Sequence, residues 1–143
     1  MAKARVLLVD DEQDFRDVLS ARIETRGLEV ETAANGPEAL ERIERQNYDA
    51  VILDLVMPEM DGIETLKRML MKQPSLQVIV LTGHATVQDG VRAVKLGAVD
   101  FLEKPADLAT LVAKIEEAQS KRVSLFENQL DEKISGILKK KGW

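Results

Sequence analysis

Five short apolar runs punctuate the chain at near-regular intervals: Val6–Val9, Leu28–Ala33, Ala50–Leu53, Gln77–Leu81 and Val99–Leu102. Each is followed by a segment with helical spacing. This repeated βα pattern constrains the fold more than any other feature. VLLV (6–9), VILDL (51–55) and VIVL (78–81) are apolar at nearly every consecutive position, as parallel strands covered by helices on both faces must be. Between the runs, Phe15, Val18, Leu19 and Ile23 fall on one helical face. So do Ile63, Leu66 and Leu70, then Val87, Val91 and Val94, then Leu108, Leu111, Val112 and Ile115. Each stripe can cover a sheet. The expected class is α/β, a doubly wound sheet between two layers of helices.

The turn residues agree. Asn35-Gly36-Pro37 places a turn before a helix with proline near its first position. Asp61-Gly62-Ile63-Glu64 has the spacing of a capping box that opens the third helix, and Gly27 and Gly97 fall where helices should end. With 143 residues and 45% apolar content, one core without metal or disulfide staples is expected. Past residue 120 the periodicity continues through Val123, Phe126, Leu130, Ile134 and Ile137. Either the last helix runs on or another follows it. This gives a body, residues 1–120, and a helical tail, residues 121–143, in which Gly136 and the terminal Lys139 to Trp143 should be less ordered.

Composition removes several chemistries. The chain has no cysteine, which excludes disulfides, zinc thiolates and thiol nucleophiles. No apolar stretch approaches the roughly 18 residues of a membrane span, and the N-terminal run is too short for a signal peptide; a cytoplasmic protein is expected. The net charge of −5 divides into −8 for the body and +3 for the tail. An acidic body argues against direct nucleic-acid binding, which relies on clustered lysine and arginine.

In doubly wound sheets, functional groups gather at the carboxyl ends of the strands, where strand order reverses. That rule selects Asp10 and Asp11 after the first run, Asp54 after the third, Thr82 after the fourth and Lys104 after the fifth. Three carboxylates in one crevice repel, so either protons or a cation must neutralise them. Oxygen donors of this kind suit Mg²⁺, which prefers six oxygens at roughly 2.0–2.1 Å. A carboxylate beside Mg²⁺ can attack phosphorus to form an acyl phosphate. Lys104 and the Thr82 hydroxyl would then pair with phosphoryl oxygens.

Four segments, LLVDDE (7–12), DLVMPEMDG (54–62), LTGHA (81–85) and FLEKP (101–105), resemble in order and spacing the signature segments of response regulator receiver domains. The resemblance covers about residues 4–120. It implies a flavodoxin-like (βα)5 three-layer sandwich, with sheet order 2-1-3-4-5 and here a C-terminal helical extension. It also implies that Asp54 is the phosphoacceptor, Asp11 a direct Mg²⁺ ligand, Asp10 a ligand acting mainly through water, and the Val56 backbone carbonyl the third protein ligand. Thr82 resembles the switch hydroxyl, Phe101 the switch aromatic and Lys104 the phosphate-pairing lysine, with a cis peptide between Lys104 and Pro105. The donor would be a sensor histidine kinase or a phosphotransfer protein. A stand-alone regulator is expected, signalling to a downstream protein target through its fourth helix, fifth strand and fifth helix.

Plainer readings exist for each residue. Asp10 and Asp11 could cap the first helix, Thr82 could be only a β-former and Lys104 only a solvated cation. His84, the sole histidine, could act as a general base on a phosphoaspartate, or sit at the rim and affect access of water. Val56 stands where the family often carries a polar residue, and an apolar side chain cannot orient water. The tail stripe could pack on its own domain, pair in a homodimer or dock on another partner. A magnesium phosphohydrolase is a rival, but its D-x-D spacing is missing from Asp10-Asp11-Glu12. A flavin site is disfavoured because acids stand where phosphate would need amides.

Overall fold

The computed structural model describes residues 3–57, 61–83 and 87–140. Five parallel strands, β1 (Arg5–Val9), β2 (Glu29–Ala33), β3 (Ala50–Leu53), β4 (Val78–Thr82) and β5 (Asp100–Glu103), form one sheet in the order β2-β1-β3-β4-β5. They alternate with α1 (Gln13–Glu24), α2 (Gly36–Arg45), α3 (Gly62–Lys72), α4 (Val87–Leu96) and α5 (Leu108–Lys140). The expected doubly wound topology and strand order are thus observed.

The sheet separates two apolar cores because successive strand residues point to opposite faces. Leu7, Val9, Val51, Leu53, Val78 and Val80 face one core with Ala39, Ile43, Leu66, Met69 and Ala93 from α2, α3 and α4. Val6, Leu8, Ile52, Ile79 and Leu81 face the other with Ile23 of α1 and Leu111 and Ile115 of α5. The central strands β1, β3 and β4 are therefore buried on both sides, which is why their sequence is apolar without alternation.

Helix boundaries follow local chemistry. The Asn35 side chain accepts the Glu38 N–H at 2.9 Å and opens α2. The Asp61 carboxylate accepts the Glu64 N–H at 2.7 Å and opens α3. Glu64 does not complete a reciprocal box; its carboxylate takes the Arg68 Nε–H at 3.1 Å instead. Gly27 and Gly97 have φ of 86° and 117°, left-handed values that reverse the chain after α1 and α4 at no steric cost.

Two helical stripes differ from expectation. Val18 on α1 is 54% exposed, and Val87, Val91 and Val94 on α4 are 85%, 48% and 50% exposed. The sheet is covered instead by Gly90 and Ala93, because the small face of α4 lets it approach β5 closely. At the other end, α5 continues unbroken past residue 120 and through Gly136. The Arg122 guanidinium holds its first turns beyond the body by an ion pair to Asp49 at 2.8 Å.

Candidate functional site

Strand order reverses between β1 and β3, and their ends are level: Val9 pairs with Leu53. Asp10 and Asp54, each one residue further on, therefore emerge side by side. Backbone bonds fix both, from Asp54 N–H to the Val9 carbonyl at 3.0 Å and from Asp10 N–H to the Ala33 carbonyl at 3.2 Å. Asp10 is 1% and Asp54 6% exposed, while Asp11 is open to solvent. One carboxylate oxygen from each of the three lies within 4.8 Å of the others.

Lys104 enters from the end of β5. Thr82 is level with Glu103, and the Lys104 N–H donates to the Thr82 carbonyl at 3.0 Å. The ammonium then reaches Asp10 Oδ2 at 2.6 Å and Asp54 Oδ2 at 3.4 Å. Thr82 itself is fully buried. The Lys104–Pro105 peptide bond is cis.

Burial pushes the Asp10 carboxyl above the usual carboxylate range, against the lowering pull of its bonds to Lys104 and to the Glu12 N–H. For Lys104, burial alone would lower the pKa, but the hydrogen bond to Asp10 and the charges of Asp54 and Asp10 outweigh it and raise it. The lysine is the cation that keeps two buried carboxylates together. Three oxygen-rich carboxylates at this separation, with one side open to water, fit a hard cation such as Mg²⁺.

Asp10 does not cap α1. Glu12 holds the N-cap position of that helix without a side-chain cap, and Asp10 Oδ1 instead accepts the Glu12 N–H at 2.9 Å. Val56 lies beside Asp54, with its N–H donating to Asp54 Oδ1 at 3.1 Å and its side chain 51% exposed. His84 and Pro58 to Met60 lie outside the described residues, as do Lys141 to Trp143.

Three features were not legible beforehand. The Phe15 ring lies under the Lys104 ammonium, 3.9 Å from its centroid, a cation–π contact that steadies the charge between the aspartates. Arg16 Nη1 donates to the Asp10 carbonyl at 2.8 Å. Gly62 packs so closely that any Cβ would overlap the Leu55 Cα and the Asp54 carbonyl, which explains a glycine after Asp61. Phe15 was visible only as one residue of a helical face; its position in the first turn after Asp10-Asp11 was the available signal.

Phe101, on β5, packs partly buried against the core of α2, α3 and α4. Its ring lies over Gly90, where a Cβ would come within 3.1–3.3 Å. Together with the outward valines of α4 it lines a shallow groove of about 680 Å³.

The sequence profile of the response regulator receiver domain matches residues 6–116. Over 113 residues the chain is 39% identical to the transcriptional regulatory protein ZraR of Escherichia coli K12, covering 79% of this chain and 26% of that one. The chain spans about a quarter of the length of the curated relatives it matches. A CheY-like receiver domain of Methanospirillum hungatei superposes with a TM-score of 0.81 at 30% identity, covering 86% and 98% of the two chains. The beryllofluoride-activated NtrC4 receiver domain, solved as a dimer, gives 0.77 at 36% identity, covering 82% and 98%. Fold, signature segments and profile agree: the chain belongs to the response regulator receiver domain family of two-component signalling.

Proposed function

We propose that Asp54 accepts a phosphoryl group from the phosphohistidine of a sensor histidine kinase or phosphotransfer protein. The observation that carries this reading is Lys104, held 2.6 Å from Asp10 and 3.4 Å from Asp54 in one buried corner. An Asp54 carboxylate oxygen attacks phosphorus, an O–P bond forms, and the N–P bond breaks with its electron pair returning to the donor's imidazole. Lys104 then exchanges the Asp10 carboxylate for phosphoryl oxygens, and the Thr82 hydroxyl donates to another. Asp10, Asp11, Asp54 and the Val56 carbonyl would hold Mg²⁺, which when bound supplies positive charge to the carboxylates and the transferring group.

The reaction is a single self-catalysed transfer, followed by slow loss of phosphate, and no small substrate is turned over. Output passes through Thr82 and Phe101 to the face formed by α4, β5 and α5, where the 680 Å³ groove offers apolar surface to a downstream protein. Among the described residues no helix is long and apolar enough to cross a membrane, which is compatible with work in the cytoplasm. Incubation with acetyl phosphate and Mg²⁺, followed by intact mass, tests the assignment. One phosphate should be gained by the wild type and none by Asp54→Asn. Equal gain by both, or none by the wild type, refutes it.

A further inference from the structure

We propose that Phe15 is a positioning residue: its ring draws the Lys104 ammonium onto Asp10, and so sets how strongly Lys104 competes with a divalent cation for that carboxylate. The inference rests on the reading of Asp10, Asp11 and Asp54 as Mg²⁺ ligands. The ammonium stands off-centre, 2.6 Å from Asp10 Oδ2 but 3.4 Å from Asp54 Oδ2. Both carboxylates are buried, so charge alone gives little reason to prefer one. The surroundings do. The ring belongs to the Asp10 side of the site, because α1 follows β1 and its first turn is tied to the strand end. Arg16 Nη1 donates to the Asp10 carbonyl at 2.8 Å, and the Arg16 N–H to the Glu12 carbonyl at 3.0 Å. Phe15 is half-buried against the core between the sheet, α1 and α5, which fixes the ring in turn. Its centroid is 3.9 Å from Nζ, close contact for an ammonium on the negative face of an aromatic ring.

The lysine stem needs such a hold. It is a flexible chain of four carbons, and it passes Gly83, where even a Cβ would lie 3.7 Å from the Lys104 Cδ. With the head held, both Asp10 oxygens are engaged: Oδ1 accepts the Glu12 N–H at 2.9 Å and Oδ2 takes the ammonium. Asp11 is open to solvent, and Asp54 Oδ2 has Lys104 only at 3.4 Å. Asp10 is therefore the one of the three whose availability to a cation depends on Lys104 moving. Leaving Asp10 means leaving the ring face, so the cation–π attraction opposes metal binding. An aliphatic side chain would fill the same edge of the core; what the aromatic adds is the charge of its face.

Calorimetric titration of the full chain with Mg²⁺, without any phosphoryl donor, tests this. Mono-, di- and trifluorinated phenylalanine at position 15 keep the ring's shape while draining its face charge, so packing and folding are preserved. Affinity for Mg²⁺ should rise stepwise with fluorine number, to roughly fivefold tighter for the trifluorinated ring. Phe15→Leu should bind about as tightly as that, and Phe15→Tyr, which keeps the ring face, should stay near the wild type. In a Lys104→Met background the fluorine series should be flat, because no ammonium is left to hold. A wild type that binds Mg²⁺ with an affinity indifferent to fluorination, or weakened by it, overturns the role of Phe15 and leaves the metal site standing. So does a fluorine dependence that persists in Lys104→Met. A wild type that binds no Mg²⁺ overturns the metal reading itself, and the role of Phe15 with it.

Discussion

Replacing Lys104 with methionine tests whether this lysine is the counter-charge that lets two aspartates share a buried corner. Its side chain is 15% exposed, against 1% for Asp10 and 8% for Asp54. Removing one partner of a buried ion pair costs about 3–5 kcal/mol, because the remaining charge is left unpaired. Asp11 opens the site to water and small cations, which places the expected loss near ~3 kcal/mol. Methionine keeps much of the stem over Phe15 and adds a sulfur–aromatic contact, so the lost cation–π contribution is partly offset. Urea denaturation followed by far-ultraviolet circular dichroism, in chelator, measures this loss. Mg²⁺ at roughly 100 times its dissociation constant should then stabilise the wild type by about 2.7 kcal/mol. It should stabilise the variant by more, since no ammonium competes for Asp10. A tenfold tighter site in the variant would shrink the deficit by about 1.4 kcal/mol. A loss under about 1 kcal/mol in chelator, or a deficit unchanged by Mg²⁺, refutes the reasoning.

Two other outcomes follow from the packing. Gly62→Ala places a methyl group into the Leu55 Cα and the Asp54 carbonyl, both backbone; a loss of about 3 kcal/mol is expected in the same urea assay, and a loss below about 1 kcal/mol would show that the approach is not tight. Tyr48, the only tyrosine, is 2% exposed and donates to Glu31 Oε2 at 2.6 Å; burial first, then that bond and the Glu31 charge, hold its pKa well above 10.0. Stability from the neutral phenol is complete below the unfolded value of 10.0 and is lost as pH rises through the raised native value. Ultraviolet difference spectra should show no phenolate at the ordinary value while the protein stays folded, and phenolate appearing there would contradict the burial.

The sequence by itself determined the strands, their parallel arrangement and the ends at which the site forms. Consecutive apolar residues can be buried on both faces only in the middle of a covered sheet, and Asp10, Asp54, Thr82 and Lys104 stand at the ends of such runs or just after them. The Asp61 cap was legible for a similar reason, since capping is a bond between residues three apart, whereas Asn35 was legible only as part of a turn before α2 and the structure adds its cap on the Glu38 N–H. Periodicity was less informative about which side of a helix is covered. The valines of α4 mark a stripe, yet Gly90 and Ala93 face the sheet, because Phe101 on β5 needs the space above a glycine. Only the tertiary structure decided that choice, along with Phe15 under Lys104, the Arg122–Asp49 pair and the unbroken run of α5. Each depends on groups far apart in the chain, whose meeting is set by how helices pack across a sheet and not by any local pattern.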